Sequence, residues 1–217
     1  MNTRDIQARL AAYRIDPGPI DGLMGRKTRR AMAAFRWKQG RSIRADFHES
    51  GLHRVIIHWP VSGEGASESD LQHYHATVTH DLRVMLGYLK PEANADCTDG
   101  RYVAHTRGLN TGSIGVAIDG MIGAQEHPFD PGPAPFNRQM VNVLAVTVAD
   151  FCLTYDIPLS RYTVLTHAEV EPTLGVWQRG KWDVRWLPGM DKPGGAIKVG
   201  DVLRAKIAKA MPREMAA

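Results

Sequence analysis

The chain has 217 residues, which is enough for one medium domain with its own core and a small accompanying one. Its hydrophobic share of 43% and charged share of 23% are ordinary for a globular protein. Two cysteines exclude a disulfide framework, and no apolar stretch is long enough to predict a membrane-spanning segment. A net charge of +4 favours an anionic partner, which on composition alone is a nucleic acid, a membrane surface or a cell wall.

Residues 1–40 are predicted to form a small helical module. Ile6, Leu10 and Tyr13 follow the spacing of one helix face, and a turn rich in Pro and Gly follows at 16–22. The basic residues are scattered along the chain except for one run, which is predicted to lie on the second helix of this module: Arg26, Lys27, Arg29, Arg30, Arg36 and Lys38. The simpler interpretation of that cluster is a solvated helix face.

Four short stretches give the module a recognisable pattern: Ile6-Gln7-Ala8-Arg9-Leu10, Asp21-Gly22-Leu23-Met24-Gly25, Lys27-Thr28-Arg29-Arg30-Ala31 and Ala34-Phe35. This pattern resembles the peptidoglycan-binding module found beside many wall hydrolases. It departs from that family at Phe35-Arg36-Trp37-Lys38, where a phenylalanine–glutamine step is usual, so the ligand preference stays open. The alternative is a generic helical hairpin that only docks on the larger domain.

Residues 41–53 are polar and are predicted to be a linker, and residues 54–217 are predicted to form the larger domain. Its pattern predicts an α/β fold with a mixed central β-sheet flanked by helices. The predicted strands lie at 55–59, 75–80, 102–105, 113–119 and 162–166, and the predicted helices at 67–73, 136–156 and about 198–210. The segment 120–135, rich in Gly and Pro, is predicted to be a long surface loop.

The residues with metal-binding chemistry stand at the ends of predicted strands. His58 closes an apolar strand, His167 follows another, and Asp183 lies in a later loop. Two imidazoles and one carboxylate supply three zinc ligands and leave a fourth position for water, as a catalytic zinc requires. Lys181 adds a positive charge two residues before the carboxylate. This combination suggests metal-assisted hydrolysis of an amide, although spacing alone makes the three-ligand set a weak motif.

The same residues lie within a longer series of matching stretches: Val55-Ile56-Ile57-His58, Tyr74-His75, Asn110-Thr111-Gly112-Ser113-Ile114-Gly115-Val116, Thr166-His167 and Lys181-Trp182-Asp183. Together they resemble the zinc-dependent N-acetylmuramoyl-L-alanine amidases, which include phage lysozyme-type amidases and animal peptidoglycan recognition proteins. The resemblance covers residues 54 to about 190. It implies a sheet of the amidase and recognition-protein type in the larger domain.

By this resemblance His58, His167 and Asp183 would be the zinc ligands, and Lys181 and Tyr74 would be the catalytic residues. The lysine would stabilise the oxyanion of the tetrahedral intermediate. One branch of the family carries a glutamate where this chain has Ala117, so the tyrosine is the better candidate for a group facing the zinc water. The general base stays open, because an ordinary tyrosine is a poor base near neutral pH.

Alternatives to this site remain at the sequence level. The segment between His167 and Asp183 is longer than in many relatives, and Glu169 and Glu171 within it are alternative ligands or bases. Trp177 or Trp182 in the same region would stack on a sugar or peptide. For the other histidines a structural or solvent-facing role is favoured over metal binding; His105 could line the groove beside Asn110, and His75 could support a ligand.

The predicted function is hydrolysis of the amide between N-acetylmuramic acid and L-alanine, with Zn²⁺ as cofactor and bacterial peptidoglycan as partner. The expected protein is a monomer that binds no nucleic acid and does not insert stably into a membrane. Its first residues lack the apolar core of a signal peptide, so we expect synthesis in the host cytoplasm and action on the wall after release, as for a phage or prophage endolysin. The alternatives are a non-catalytic peptidoglycan-binding protein and a zinc peptidase acting within the stem peptide.

Overall fold

The computed structural model of the chain describes residues 1–212. The helices are α1 (Thr3–Ala12), α2 (Arg26–Gln39), α3 (Glu68–His73), α4 (Arg138–Thr154), α5 (His167–Leu174) and α6 (Ala196–Ala210). The strands are β1 (Arg54–His58), β2 (Ala76–Val78), β3 (Val84–Leu86), β4 (Ser113–Ile118) and β5 (Val164–Thr166). Short 3-10 helices occupy Ile43–Asp46 and Pro91–Asn94. Within this described part of the chain, no helix is both long enough and apolar enough to cross a membrane.

The five strands form one mixed sheet in the order β3-β2-β4-β1-β5. β1 is parallel to both of its neighbours, β2 is parallel to β4, and β3 is antiparallel to β2. This confirms the predicted mixed sheet flanked by helices. Ile57 of β1 pairs with Thr166 of β5, so His58 and His167 leave the sheet next to each other. The carboxyl ends of neighbouring parallel strands are a common place for ligand sites in open α/β sheets.

Helices cover both faces of the sheet, which explains why β1 is buried along its whole length. Val55 and Ile57 belong to the main apolar cluster, which includes residues of α4 and α6. Ile56 points to the opposite face, as alternation along a strand requires, and packs in a second cluster with Leu165 and with Ala8 of α1. The N-terminal helix therefore contributes to the packing of the second sheet face.

Residues of the N-terminal hairpin also have a small apolar core of their own, which includes Ile6, Leu10, Ala31 and Phe35. Two buried ion pairs extend from α1. Asp5 Oδ1 lies 2.7 Å from Arg54 Nη2 at the start of β1, and Arg9 Nε lies 2.8 Å from Asp46 Oδ2.

The segment predicted as a linker carries the first 3-10 helix and buries Ile43 and Leu52. The boundaries 1–40, 41–53 and 54–217 stay predictions.

The remaining differences from the predicted elements have local causes. The prediction of a strand at 102–105 is wrong, because backbone donors there bond side chains: Val103 N bonds Asn94 Oδ1 and His105 N bonds Asn110 Oδ1. Neither β3 nor α5 was predicted. α5 begins at His167 because Glu169 reaches back to the backbone N–H of Thr166 in a capping box.

Candidate metal centre

Three predicted ligands converge at the carboxyl ends of β1 and β5. Nδ1 of His58 lies 3.1 Å from Nδ1 of His167, and Asp183 Oδ2 lies 3.2 Å from the first and 3.1 Å from the second. All three side chains are buried. Asp183 belongs to a later loop, which is tied to the start of α5 by a 2.6 Å hydrogen bond from Ala168 N to Asp183 O.

The spacing of these donor atoms fits a tetrahedral metal ion. Zinc bonds to imidazole nitrogen and carboxylate oxygen are about 2.0–2.2 Å long, and a tetrahedron with such bonds has edges of about 3.3 Å. The three observed separations lie close to that value. The residues present therefore fit a zinc ion bound through two Nδ1 atoms and one carboxylate oxygen.

The far nitrogen of His167 is oriented by Gln178. Gln178 Nε2 donates to the carbonyls of Arg107 at 3.0 Å and Val176 at 3.2 Å, so its Oε1 must face His167 Nε2, 2.9 Å away. An amide oxygen only accepts, and the proton of the neutral imidazole must therefore lie on Nε2. The lone pair of Nδ1 is then left to face the metal position, as ligand histidines require.

A second set of hydrogen bonds orients His58. His105 Nε2 lies 3.3 Å from the carbonyl of Ser113, which only accepts, so neutral His105 carries its proton there. His105 Nδ1 is then an acceptor, and it lies 3.2 Å from Nε2 of His58. The Thr106 hydroxyl lies 2.9 Å from this acceptor and 3.4 Å from His58 Nε2, so His58 Nε2 can donate to His105 directly or to the Thr106 oxygen. Either bond keeps the lone pair of His58 Nδ1 for the metal position. The expected groove position of His105 is found, and its ring also contacts a candidate ligand.

Burial and charge act together on the titration of these groups. Burial lowers the pKa of His58 to about 4 and that of His105 well below its ordinary value. Burial opposes ionisation of Asp183, but the charges and hydrogen bonds of the two histidines outweigh it and lower the carboxyl pKa to about 2. For His167 burial disfavours the charged form, whereas Asp183 raises the net pKa. Metal binding at His167 therefore competes with a proton.

Two glycines of the Asn110–Val116 stretch make room for this arrangement. A Cβ on Gly115 would lie 2.5 Å from Cγ of His105, so a larger residue would displace that ring. Gly112 has φ of +73°, and a Cβ there would overlap the ring of His53. The glycines at positions 112 and 115 of this stretch are thus explained by two imidazole rings that lie close to the backbone.

The donor atoms open into a groove of about 630 Å³. Lys181 is exposed and lines it, and its positive charge is close enough to lower the pKa of His58. Tyr74 also lines the groove, with its ring centroid 5.2 Å from that of His58. Burial, assisted by the charges of Asp183 and Asp70, raises the pKa of Tyr74, so its hydroxyl stays protonated and can donate a hydrogen bond.

The two alternative carboxylates are engaged elsewhere. Glu169 is fully buried and bonds Arg204 of α6 at 2.7 and 3.0 Å, where Gly200 leaves the space that the carboxylate fills. Glu171 accepts from the backbone N–H of Gln178 at 3.0 Å. Gln178 was not predicted to be a site residue, because its position eleven residues after His167 gives no spacing signal.

No curated protein matches the chain. Among solved structures, the complex of peptidoglycan recognition proteins LCa and LCx with tracheal cytotoxin is 17% identical, with a TM-score of 0.38, over 56% of this chain and 73% of that chain. The N-acetylmuramoyl-L-alanine amidase LysC from Clostridium intestinale URNW is 13% identical, with a TM-score of 0.42, over 74% of this chain and 89% of that chain.

The chain also matches the model of a protein family. The model described as N-acetylmuramoyl-L-alanine amidase matches residues 28–189, which begins inside α2 and includes His58, His167 and Asp183. This match spans well over half of the chain. The chain therefore belongs to the N-acetylmuramoyl-L-alanine amidase family and is a peptidoglycan amidase.

Proposed function

We propose that this amidase is zinc-dependent, and that His58, His167 and Asp183 hold the ion. One observation carries the proposal: three donor atoms lie within 3.2 Å of one another, and the far nitrogen of each imidazole has a hydrogen-bond partner that leaves Nδ1 free. A bound zinc ion supplies Lewis acidity, which lowers the pKa of a water molecule and polarises a carbonyl group. Two neutral nitrogens and one carboxylate also leave that ion a net positive charge.

Two groove residues are proposed to act on the amide itself. The Lys181 ammonium group would stabilise negative charge that develops on the carbonyl oxygen, because a fixed cation is worth most where charge appears in the transition state. Tyr74 would donate a hydrogen bond to the same tetrahedral centre through its protonated hydroxyl. Its raised pKa argues against a role as general base.

The charge of the groove supports an anionic stem peptide as the part of the substrate that it binds. Arg107 and Arg179 line it together with Lys181. The Arg179 guanidinium lies 5.6 Å from the ring centroid of Trp177, which is 63% exposed. Cationic side chains at a groove concentrate anionic ligands near the reacting centre.

The direct test is mass spectrometry of fragments released from purified peptidoglycan, before and after removal of metal with a chelator. We expect intact stem peptides that begin with a free L-alanine amine, uncut glycan strands, loss of release after chelation and recovery with added zinc. Shortened peptides would favour a zinc peptidase. A folded, zinc-loaded protein that releases nothing would favour a binding protein.

A matched pair of variants separates catalysis from binding. His167→Ala should abolish release while the protein still co-sediments with sacculi. His73→Ala is the control, because His73 is exposed on α3 and bonds only Ser69 of its own helix in the described structure. Equal loss of release in both variants would contradict the assignment of His167.

We further propose that the protein acts as an endolysin, reaching the wall after another protein has opened the membrane, and that it acts as a monomer. Expression in a bacterial cytoplasm should leave cells intact until a membrane-permeabilising agent is added, and lysis should then follow within the same culture. Lysis without that agent would contradict the proposed route. Sedimentation of the purified protein gives its oligomeric state.

A further inference from the structure

Helix α2 carries an unusual concentration of positive charge. Its 14 residues include six cationic side chains and no carboxylate: Arg26, Lys27, Arg29, Arg30, Arg36 and Lys38. In the described part of the chain, the one ion pair formed by these residues joins Lys27 and Asp16 at 3.9 Å, and both partners are exposed. The outward charge of the helix is therefore almost unneutralised.

The same helix exposes a large aromatic side chain in its last turn, between Arg36 and Lys38. Ala31 and Phe35 face the interior of the hairpin. Arg26, Arg30 and Trp37 are spaced by four and seven residues, so they lie along one line on the opposite side. The Trp37 side chain is 89% exposed. The outward line and its flanking cations form what we call the basic face of α2.

This face does not help the helix to form. Positive charge is unfavourable near a helix N-terminus, yet the first turns contain Arg26, Lys27, Arg29 and Arg30. No acidic residue lies in the first turn, and Gly25 at the N-cap provides no side-chain hydrogen bond. Like charges four residues apart also repel each other. Local helix stability therefore does not explain these residues, whereas binding of an anionic surface does.

We propose that the basic face of α2 docks the protein on an anionic phospholipid bilayer. Clustered arginines and lysines are attracted to anionic lipid head groups, and tryptophan prefers the interface between head groups and acyl chains. Duplex nucleic acid would attract the same cations, but it offers no counterpart to the head-group interface that favours the exposed indole of Trp37. Peripheral docking of this kind requires no membrane-spanning helix, and it would hold a peptidoglycan amidase next to the wall.

The test is co-sedimentation of the full chain with two kinds of vesicle, one of phosphatidylcholine alone and one that also contains phosphatidylglycerol. We expect binding to the anionic vesicles only, weakened by added salt. The triple variant Arg26→Gln, Arg29→Gln, Arg30→Gln should bind them on the order of a hundredfold more weakly. Because these substitutions remove unfavourable charge from a helix N-terminus, the variant should unfold at the same temperature as wild type or higher. With that unfolding temperature, weaker vesicle binding by the triple variant could not be due to unfolding.

Two further variants sharpen the result. The control Lys192→Gln, Lys198→Gln, Lys209→Gln removes three exposed charges outside α2 and should keep vesicle binding within about twofold. Trp37→Phe should remove the part of the tryptophan emission that shifts to shorter wavelength when anionic vesicles are added. An unchanged shift in that variant would show that Trp37 does not enter the interface, and would overturn its part in the proposal.

Several outcomes would overturn the proposal as a whole. These are equal binding to both vesicle types, no binding to either, and equal weakening by the α2 and control triple variants. Tighter binding of duplex DNA than of anionic vesicles, lost in the α2 variant, would assign the face to nucleic acid instead. If the wild-type protein does not bind vesicles and the α2 triple variant no longer binds sacculi, the basic face of α2 would be assigned to the wall. Release of stem peptides is measured separately, so failure here leaves the amidase proposal standing.

Discussion

Gln178 and His167 are held face to face, with Oε1 of the glutamine 2.9 Å from Nε2 of the histidine. The amide of Gln178 cannot turn over, because its nitrogen donates to two backbone carbonyls. This contact selects the tautomer of His167 that offers Nδ1 to a metal ion. The orientation of a candidate ligand thus depends on a residue that does not itself reach the metal position.

Replacing that glutamine should weaken metal binding without unfolding the protein. Loss of a hydrogen bond to a ligand histidine typically lowers metal affinity by about 10–100-fold. We expect Gln178→Ala to show a loss in this range when zinc affinity is measured by competition with a chromogenic chelator. The matched control is Gln72→Ala, since Gln72 is exposed on α3. Equal affinity in the two variants would mean that Gln178 does not orient a ligand.

The orientation of His58 can be tested by a substitution at Gly115, whose backbone lies against the ring of His105. Gly115→Ala would bring a methyl group within 2.5 Å of Cγ of His105, so the ring that contacts His58 would have to shift. We expect a loss of about 1–3 kcal/mol in the free energy of unfolding, as for other overpacked positions, together with weaker zinc binding. Denaturant unfolding measures the first effect. Gly63→Ala is the control, because nothing lies within 4 Å of its added Cβ.

The identity of the third ligand can be tested with two conservative substitutions. Asp183→Asn should leave a folded protein that no longer retains zinc. Glu169→Gln should retain one zinc per chain but be less stable than wild type, because Arg204 would lose its buried partner and keep only the half-exposed Asp201 at 2.8 Å. Metal analysis and denaturant unfolding of both proteins give the answer. The opposite pattern would identify Glu169 as the ligand.

The buried pair of Asp5 and Arg54 predicts how stability depends on pH. Burial alone would raise the pKa of the Asp5 carboxyl, but the hydrogen bond from His53 and the charge of Arg54 lower the net value below its usual range. The unfolded chain has an ordinary aspartate pKa of about 3.9. The ionised carboxylate therefore stabilises the fold fully above that pH, and this stabilisation is lost as the pH falls through the unfolded value toward the folded one.

Asp5→Asn should accordingly be less stable than wild type by about 3–5 kcal/mol at neutral pH, since Arg54 keeps its charge in a buried position. The difference should stay constant from pH ~7 to ~5 and shrink as the pH falls through about 3.9 and below. Denaturant unfolding at a series of pH values measures it. Asp16→Asn serves as control, because that carboxylate is exposed and its nearest cation is 3.9 Å away. A difference that does not change with pH would contradict the assignment.

The sequence by itself determined the order of the main elements and the chemistry of the candidate ligands. The apolar run before His58 and the short strand before His167 are local signals, and parallel strands bring their carboxyl ends to one edge. The two imidazoles were therefore predictable as neighbours, whereas the choice of Asp183 as the third ligand rested on the family resemblance. Helix α5 was not predicted, because its start depends on the capping box of Thr166 and Glu169 within a short segment.

Only the tertiary structure decided which atoms of those ligands point inward, and what surrounds them. Gln178, His105 and Ser113 set the imidazole orientations through contacts with no fixed sequence spacing. By residue type Glu169 was an equal candidate for the third ligand. In the folded chain its carboxylate pairs with Arg204, 35 residues later, and does not face the groove. Residue type and periodicity are local properties of a chain, whereas hydrogen-bond partners and burial depend on how distant segments pack.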